Sequence, residues 1–127
     1  MSLAVTFHSH EKPHISRALL CRLKNAVLSE HYSLSVVFTN SAKMRRLSRA
    51  YRKIDKTTDI LSFPLSETEG EIFISTVVAR REAIKFGRPF ENFLLFLLIH
   101  GFLHLMGCKH GKKMESLERV WRKKLKI

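Results

Sequence analysis

Apolar residues alternate with smaller or polar ones over residues 3–7, and again through Leu34, Val36 and Phe38. This period of two predicts two strands. Between them Ile15, Leu19, Leu20, Leu23 and Val27 recur at helical spacing to about Ser29, with Pro13 expected in the first turn. Asn40 is placed to cap a second helix whose apolar stripe is Met44, Leu47 and Tyr51. Residues 55–59 form a polar turn into a third strand at 60–63, which Pro64 is expected to close. An acidic turn over 66–70 leads to a fourth strand at 71–74. Ser75 or Thr76 can cap a helix running to about Phe86, with Gly87 as its stop. Pro89 precedes a helix that is apolar almost all round, and Met114, Leu117, Trp121 and Leu125 line one face of the last helix.

Four short strands mixed with about five helices predict an α+β or α/β sandwich. The short acidic turn predicts an antiparallel strand pair, and the β-α-β passage over residues 3–38 a parallel one, so the sheet should be mixed. No repeat, low-complexity run or long linker divides the chain, and residues 1–127 are expected to form a single domain.

The apolar helix carries the candidate chemistry. His100 and His104 are four residues apart and share one helical face. Gly107 can take the left-handed conformation that ends a helix, and His110 then arrives where it can face the first two rings. Three neutral imidazoles with an open fourth position suit one zinc ion, although nickel or copper would also bind three imidazoles. The spacing of His at i, i+4 and i+10 with Gly at i+7 is that of metzincin proteases, which carry a catalytic Glu directly after the first His. Here that position is Gly101, and no carboxylate occurs between Asn92 and His110. The pattern therefore offers metal ligands without a local proteolytic base, which argues for another metal-assisted hydrolysis. A lone His on an apolar helix is ordinarily a satisfied core residue, but three at ligand spacing would be costly to bury without a shared partner.

The charge balance is unusual. Lys and Arg number 23 against 11 acids, a net charge of +12. Folding gains nothing from such an excess, whereas a polyanionic partner does, through counterion release. The charge is clustered: Lys43, Arg45, Arg46, Arg49, Arg52 and Lys53 surround the second helix, and no acid occurs between Glu30 and Asp55. Arg45, Arg46, Arg49, Arg52 and Lys53 are the candidate contacts to nucleic-acid phosphates. A solvated helix face is the plainer alternative. Asp59 and Ser62 are possible helpers in catalysis, with a strand-entry cap and a core-edge hydroxyl as their structural alternatives. Cys21 and Cys108 are too few for a disulfide framework, so no disulfide-linked partner is expected. Residues 1–10 lack the pattern of a signal peptide, and the longest apolar run, residues 93–99, is far short of the ~20 residues needed to cross a bilayer. A cytoplasmic protein with no membrane partner is expected.

Three blocks carry a resemblance to a known family. Tyr51-Arg52-Lys53-Ile54-Asp55-Lys56-Thr57-Thr58-Asp59-Ile60-Leu61-Ser62-Phe63-Pro64 is similar to YRxKDxxTDVLSFP, Gly70-Glu71-Ile72 to GDI, and the stretch from His100 through Gly101, His104 and Gly107 to His110 to HGxLHLxGYDH. Met114, Glu115 and Glu118 follow in the family's order. The chain resembles the YbeY family of bacterial rRNA maturation factors, which are metal-dependent endoribonucleases. The resemblance implies a zincin-like α+β fold with a mixed four-stranded sheet, and zinc on His100, His104 and His110. It also implies that Arg52 works on RNA in the cleft, with rRNA of the small ribosomal subunit as partner, in 16S rRNA 3′-end maturation and ribosome quality control. Lys109 stands where the family has Asp before the last His, and the segment from His110 to Met114 is short. Lys109 would weaken metal binding electrostatically or add a phosphate contact. Two other functions stay open: an RNA- or ribosome-binding factor with a structural zinc and little catalysis, and a metal hydrolase of a small substrate, which leaves the basic helix without a role.

Overall fold

The computed structural model describes residues 3–8, 13–52, 58–107 and 111–125, with the backbone alone at Arg52 and Leu125. Nine elements follow in chain order: β1 (Leu3–Phe7), α1 (Arg17–Leu28), β2 (Ser33–Thr39), α2 (Ser41–Arg52), β3 (Ile60–Ser66), β4 (Glu69–Ser75), α3 (Thr76–Lys85), α4 (Phe90–Leu105) and α5 (Lys112–Leu125). The strands form one sheet in the order β1-β2-β4-β3. β1 and β4 both run parallel to β2, while β3 is antiparallel to β4. The fold is thus the expected α+β arrangement with a mixed four-stranded sheet and five helices.

Register sorts the side chains between two layers. Val36 pairs with Val5 and Ile72, and Phe38 with Phe7 and Ile74. These residues join Leu94, Leu98 and Phe102 of α4 in the main core. One residue out of phase, Val37 pairs with Phe73, and Leu61 also pairs with Phe73. That opposite face receives α2, through buried Met44 and the contact of Tyr51 with Phe63. The sheet is therefore sandwiched, with α4 as the main support on one side and α2 on the other.

α4 is apolar all round because it is enclosed: Phe93, Leu94, Leu97, Leu98, Ile99, Phe102, Leu103 and Leu105 are all buried. Each such side chain contributes roughly 1.5–3 kcal/mol by burial. The helix is pressed onto the sheet at Gly101, where a Cβ would lie 3.0 Å from Ile60 Cδ1, Ile72 Cδ1 and Ser62 Oγ. A second close approach occurs at Gly70 on β4, where a Cβ would meet the Tyr32 hydroxyl at 2.4 Å and Leu105 Cδ2 at 2.8 Å. These two contacts fix how far the C-terminal turns of α4 stand above β3 and β4.

Caps account for most of the boundaries. Asn40 Oδ1 accepts from the Lys43 amide at 2.8 Å, and Ser75 Oγ accepts from the Val78 amide at 3.3 Å. Gly87 and Gly107 take positive φ of 65° and 91° after α3 and α4. Three boundaries differ from the sequence reading. α1 begins at Arg17, after Pro13, because Ser16 accepts the Leu19 amide at 3.2 Å and supplies the cap. Pro64 does not close β3: as an edge strand β3 need not use the missing N–H, and it continues through an irregularity to Ser66. The turn that follows is only Glu67–Thr68, where Ser66 Oγ accepts the Thr68 amide. No helix among the described residues is long and apolar enough to cross a membrane.

Candidate metal centre and its cleft

His100 and His104 occupy the last two turns of α4 and reach the surface just as the helix leaves the core. Their Nε2 atoms are 3.2 Å apart and the rings cross at 76°. Two nitrogens bound to one tetrahedral zinc at about 2.0–2.1 Å would lie about 3.3 Å apart. The pair is therefore set at chelating distance before any ion is considered. The C-terminal carbonyls of α4 add partial negative charge at this end of the helix, which also favours a cation.

The remaining nitrogen of His100 has its own partner. Nδ1 makes a short contact with Glu118 Oε1 on α5. Both groups are largely shielded, with side-chain exposures of 22% and 12%. A carboxylate there holds the proton on Nδ1 and leaves Nε2 with its lone pair for a ligand, the arrangement commonly found behind metal-bound histidines. Glu118 is in position because Met114, one helical turn before it, is buried against α4 and Leu117 packs on the same core.

Two clefts meet at His100. One, of about 570 Å³, is lined by Tyr51, Thr58, Asp59, residues 60–63, His100 and His104. The other, of about 410 Å³, continues past Asp59, Ile60 and His100 toward Glu82, Glu115, Glu118 and an apolar floor that includes Phe93 and Phe96. Asp59 stands at the junction. Burial pushes its carboxyl above the ordinary aspartate range; the Ile60 amide opposes this, nearby Glu82 adds to it, and His100 pulls the other way.

His100 and His104 are brought together. His110 lies outside the described residues, and among those described no set of three His, Cys, Asp or Glu side chains forms a metal cluster. Arg45, Arg46 and Arg49 are exposed on α2, whose C-terminal end supplies Tyr51 to the same cleft as the two histidines. Arg52 is the last residue of α2 and its side chain is not described; Lys53 also lies outside, as do Cys108 and Lys109. Ser62 borders the cleft as well as the Gly101 contact. Glu118 had no role assigned from the sequence, because no local spacing pairs it with His100, eighteen residues away on another helix.

Comparison with known proteins shows the family and the fold. The family model described as Endoribonuclease YbeY matches residues 5–127. A protein of that name from Staphylococcus carnosus (strain TM300) is 36% identical over 123 residues, covering 87% of this chain and 80% of its own length. One from Acholeplasma laidlawii (strain PG-8A) is 37% identical over 95 residues, covering 72% and 69%. The solution structure of TM1509 from Thermotoga maritima superposes with a TM-score of 0.61, over 94% of this chain and 85% of that one, at 24% identity, and so shares the fold. By the extent of the family match and the identity to these relatives, the chain belongs to the YbeY family.

Proposed function

We propose that this protein is a zinc-dependent endoribonuclease of the cytoplasm, cutting unpaired rRNA of the small ribosomal subunit in 16S 3′-end maturation and ribosome quality control. RNA cleavage is supported by the relatives named Endoribonuclease YbeY. The observation that carries the metal chemistry is the 3.2 Å spacing of the two Nε2 atoms, with Glu118 behind His100, on the wall of an open cleft.

In this reading His100, His104 and His110 hold one Zn²⁺. When bound, the ion supplies Lewis acidity and lowers the pKa of water toward neutrality. Glu118 keeps His100 in the tautomer that presents Nε2. Arg45, Arg46, Arg49 and Lys53 draw the RNA backbone along α2 toward the cleft, and Arg52 clamps a phosphate bidentately, which Lys does less well. Asp59, whose carboxyl holds its proton more readily than an ordinary aspartate, can accept or return a proton where the two clefts meet. Gly101 leaves α4 free to seat against Ile60 and Ser62, so the site has no room for the glutamate of a zinc protease.

A purely structural zinc, closed by four protein ligands, fits less well with two imidazoles that line an open cleft of about 570 Å³. The experiment is His104→Ala, read by elemental analysis and by cleavage of single-stranded RNA. The expected result is loss of both zinc and cleavage; wild-type zinc in the variant would remove His104 as a ligand. Arg52→Ala separates enzyme from binding factor: cleavage lost with ribosome association retained supports the enzyme, and association lost with no cleavage in the parent supports the binding factor.

A further inference from the structure

Tyr51 is 69% exposed although it belongs to the apolar stripe of α2 that begins with fully buried Met44. A large aromatic ring left this open calls for a reason. Its ring packs against Phe63 at 5.1 Å between centroids, tilted by 59°, and Phe63 packs edge-on against Phe73 at 5.8 Å. Phe63 lies on β3 and Phe73 on β4, so the ring is braced from beneath by two paired strands. Tyr51 and Phe63 line the same cleft as His100 and His104. The next residue in the chain is Arg52, and Arg45, Arg46 and Arg49 approach along the same helix.

A braced, solvent-facing ring at the end of a cationic helix has the properties of a stacking platform. Stacking demands a flat apolar face held in place, and it tolerates any base because every base has a π-face. A base within a duplex is already stacked on its neighbours, so only an unpaired nucleotide can use the ring. The hydroxyl is not needed for this; the ring is.

Resting on the endoribonuclease reading above, we propose that Tyr51, braced by Phe63, stacks on one unpaired nucleobase beside the scissile phosphate and is the residue by which this site selects single-stranded RNA. Tyr51 positions the strand. It takes no part in proton transfer, and the preference it gives is for an unpaired base of any identity.

The test is binding of a labelled single-stranded oligoribonucleotide, 2′-O-methylated to keep it intact, to the full-length, zinc-loaded protein by fluorescence anisotropy. A companion series carries one abasic ribose stepped along the strand. The wild type is expected to lose affinity when the abasic unit occupies one particular position. Tyr51→Ala should bind the intact strand about 5- to 150-fold more weakly and be indifferent to the abasic unit. Tyr51→Phe and Tyr51→Trp should restore both the affinity and the positional penalty. On unmodified RNA, Tyr51→Ala should raise KM by a larger factor than it lowers kcat. Tyr51→Ala that binds like the wild type, or that keeps the wild-type abasic penalty, overturns the platform while leaving the nuclease intact. A wild type that neither binds nor cleaves single-stranded RNA overturns both. The exposure of Tyr51 makes the alanine variant safe to fold, which a matching melting curve checks.

Discussion

The contact between Glu118 and His100 gives the sharpest test of the metal centre, because two substitutions perturb it by different amounts. Glu118→Gln keeps the size and an acceptor oxygen but removes the charge; Glu118→Ala removes the acceptor as well. A hydrogen bond to a charged group is worth about 1.5–3 kcal/mol and a neutral one about 0.5–1.5 kcal/mol. Exposures of 22% and 12% leave this pair largely shielded, so the upper part of each range is appropriate. Loss of the charge alone then costs roughly 1.5 kcal/mol of ligand preorganisation, or about tenfold in zinc affinity. Loss of the acceptor frees the Nδ1–H, allows the ring to adopt the wrong tautomer, and costs about 10- to 100-fold, the usual range for such partners. The assay is competition for zinc against a fluorescent chelator, with circular dichroism to confirm folding. The predicted order of affinity is wild type, then Glu118→Gln, then Glu118→Ala. Wild-type affinity in folded Glu118→Ala would refute the role assigned to Glu118.

Gly70→Ala should destabilise the fold by about 1–3 kcal/mol through overpacking, since its Cβ would stand 2.4 Å from the Tyr32 hydroxyl. Tyr32→Phe should recover part of that loss in urea titration: the hydroxyl is buried with no hydrogen-bond partner among the described residues, so removing it frees space at little cost. Asp59→Asn should melt above the wild type at pH 7 in metal-free buffer, and the advantage should shrink on acidification. The sign follows from the raised folded-state pKa: between the ordinary aspartate value and the raised one, the native state binds more protons than the unfolded state, so wild-type stability falls as pH rises through that window. Activity should fall in the same variant, measured as cleavage rate. Replacing Arg45, Arg46 and Arg49 together with Ala should weaken RNA binding and flatten its dependence on log salt by up to about 0.7 for each phosphate that is no longer neutralised; an unchanged slope would remove α2 from the RNA surface.

The strands and helices were legible because their periods are strong and their caps are local. Asn40, Ser75, Gly87 and Gly107 act within a few residues of where they sit, and each behaves as its chemistry predicts. Errors arose where two local signals competed or where tertiary placement decided. Pro13 and Ser16 both mark a helix start, and the side-chain cap at Ser16 prevailed. Pro64 breaks a central strand but is tolerated in β3, and the position of β3 at the sheet edge depends on the pairing of β2 with β4. The i, i+4 spacing of His100 and His104 was enough to predict that the rings meet. The partnership of His100 with Glu118 was not readable from spacing, because it depends on how α5 folds back across α4. Tyr51 looked like core from its helical phase alone; its exposure follows from meeting Phe63 on the edge strand.

X-ray absorption at the zinc edge of the purified protein decides whether His100, His104 and His110 share one ion. The predicted result is one zinc per chain with nitrogen or oxygen neighbours at about 2.0–2.1 Å, outer-shell scattering from three imidazoles, and a spectrum for His104→Ala that shows one imidazole fewer or no metal. A sulfur neighbour at about 2.3 Å, or a wild-type protein that retains no metal while cleaving RNA, would contradict it.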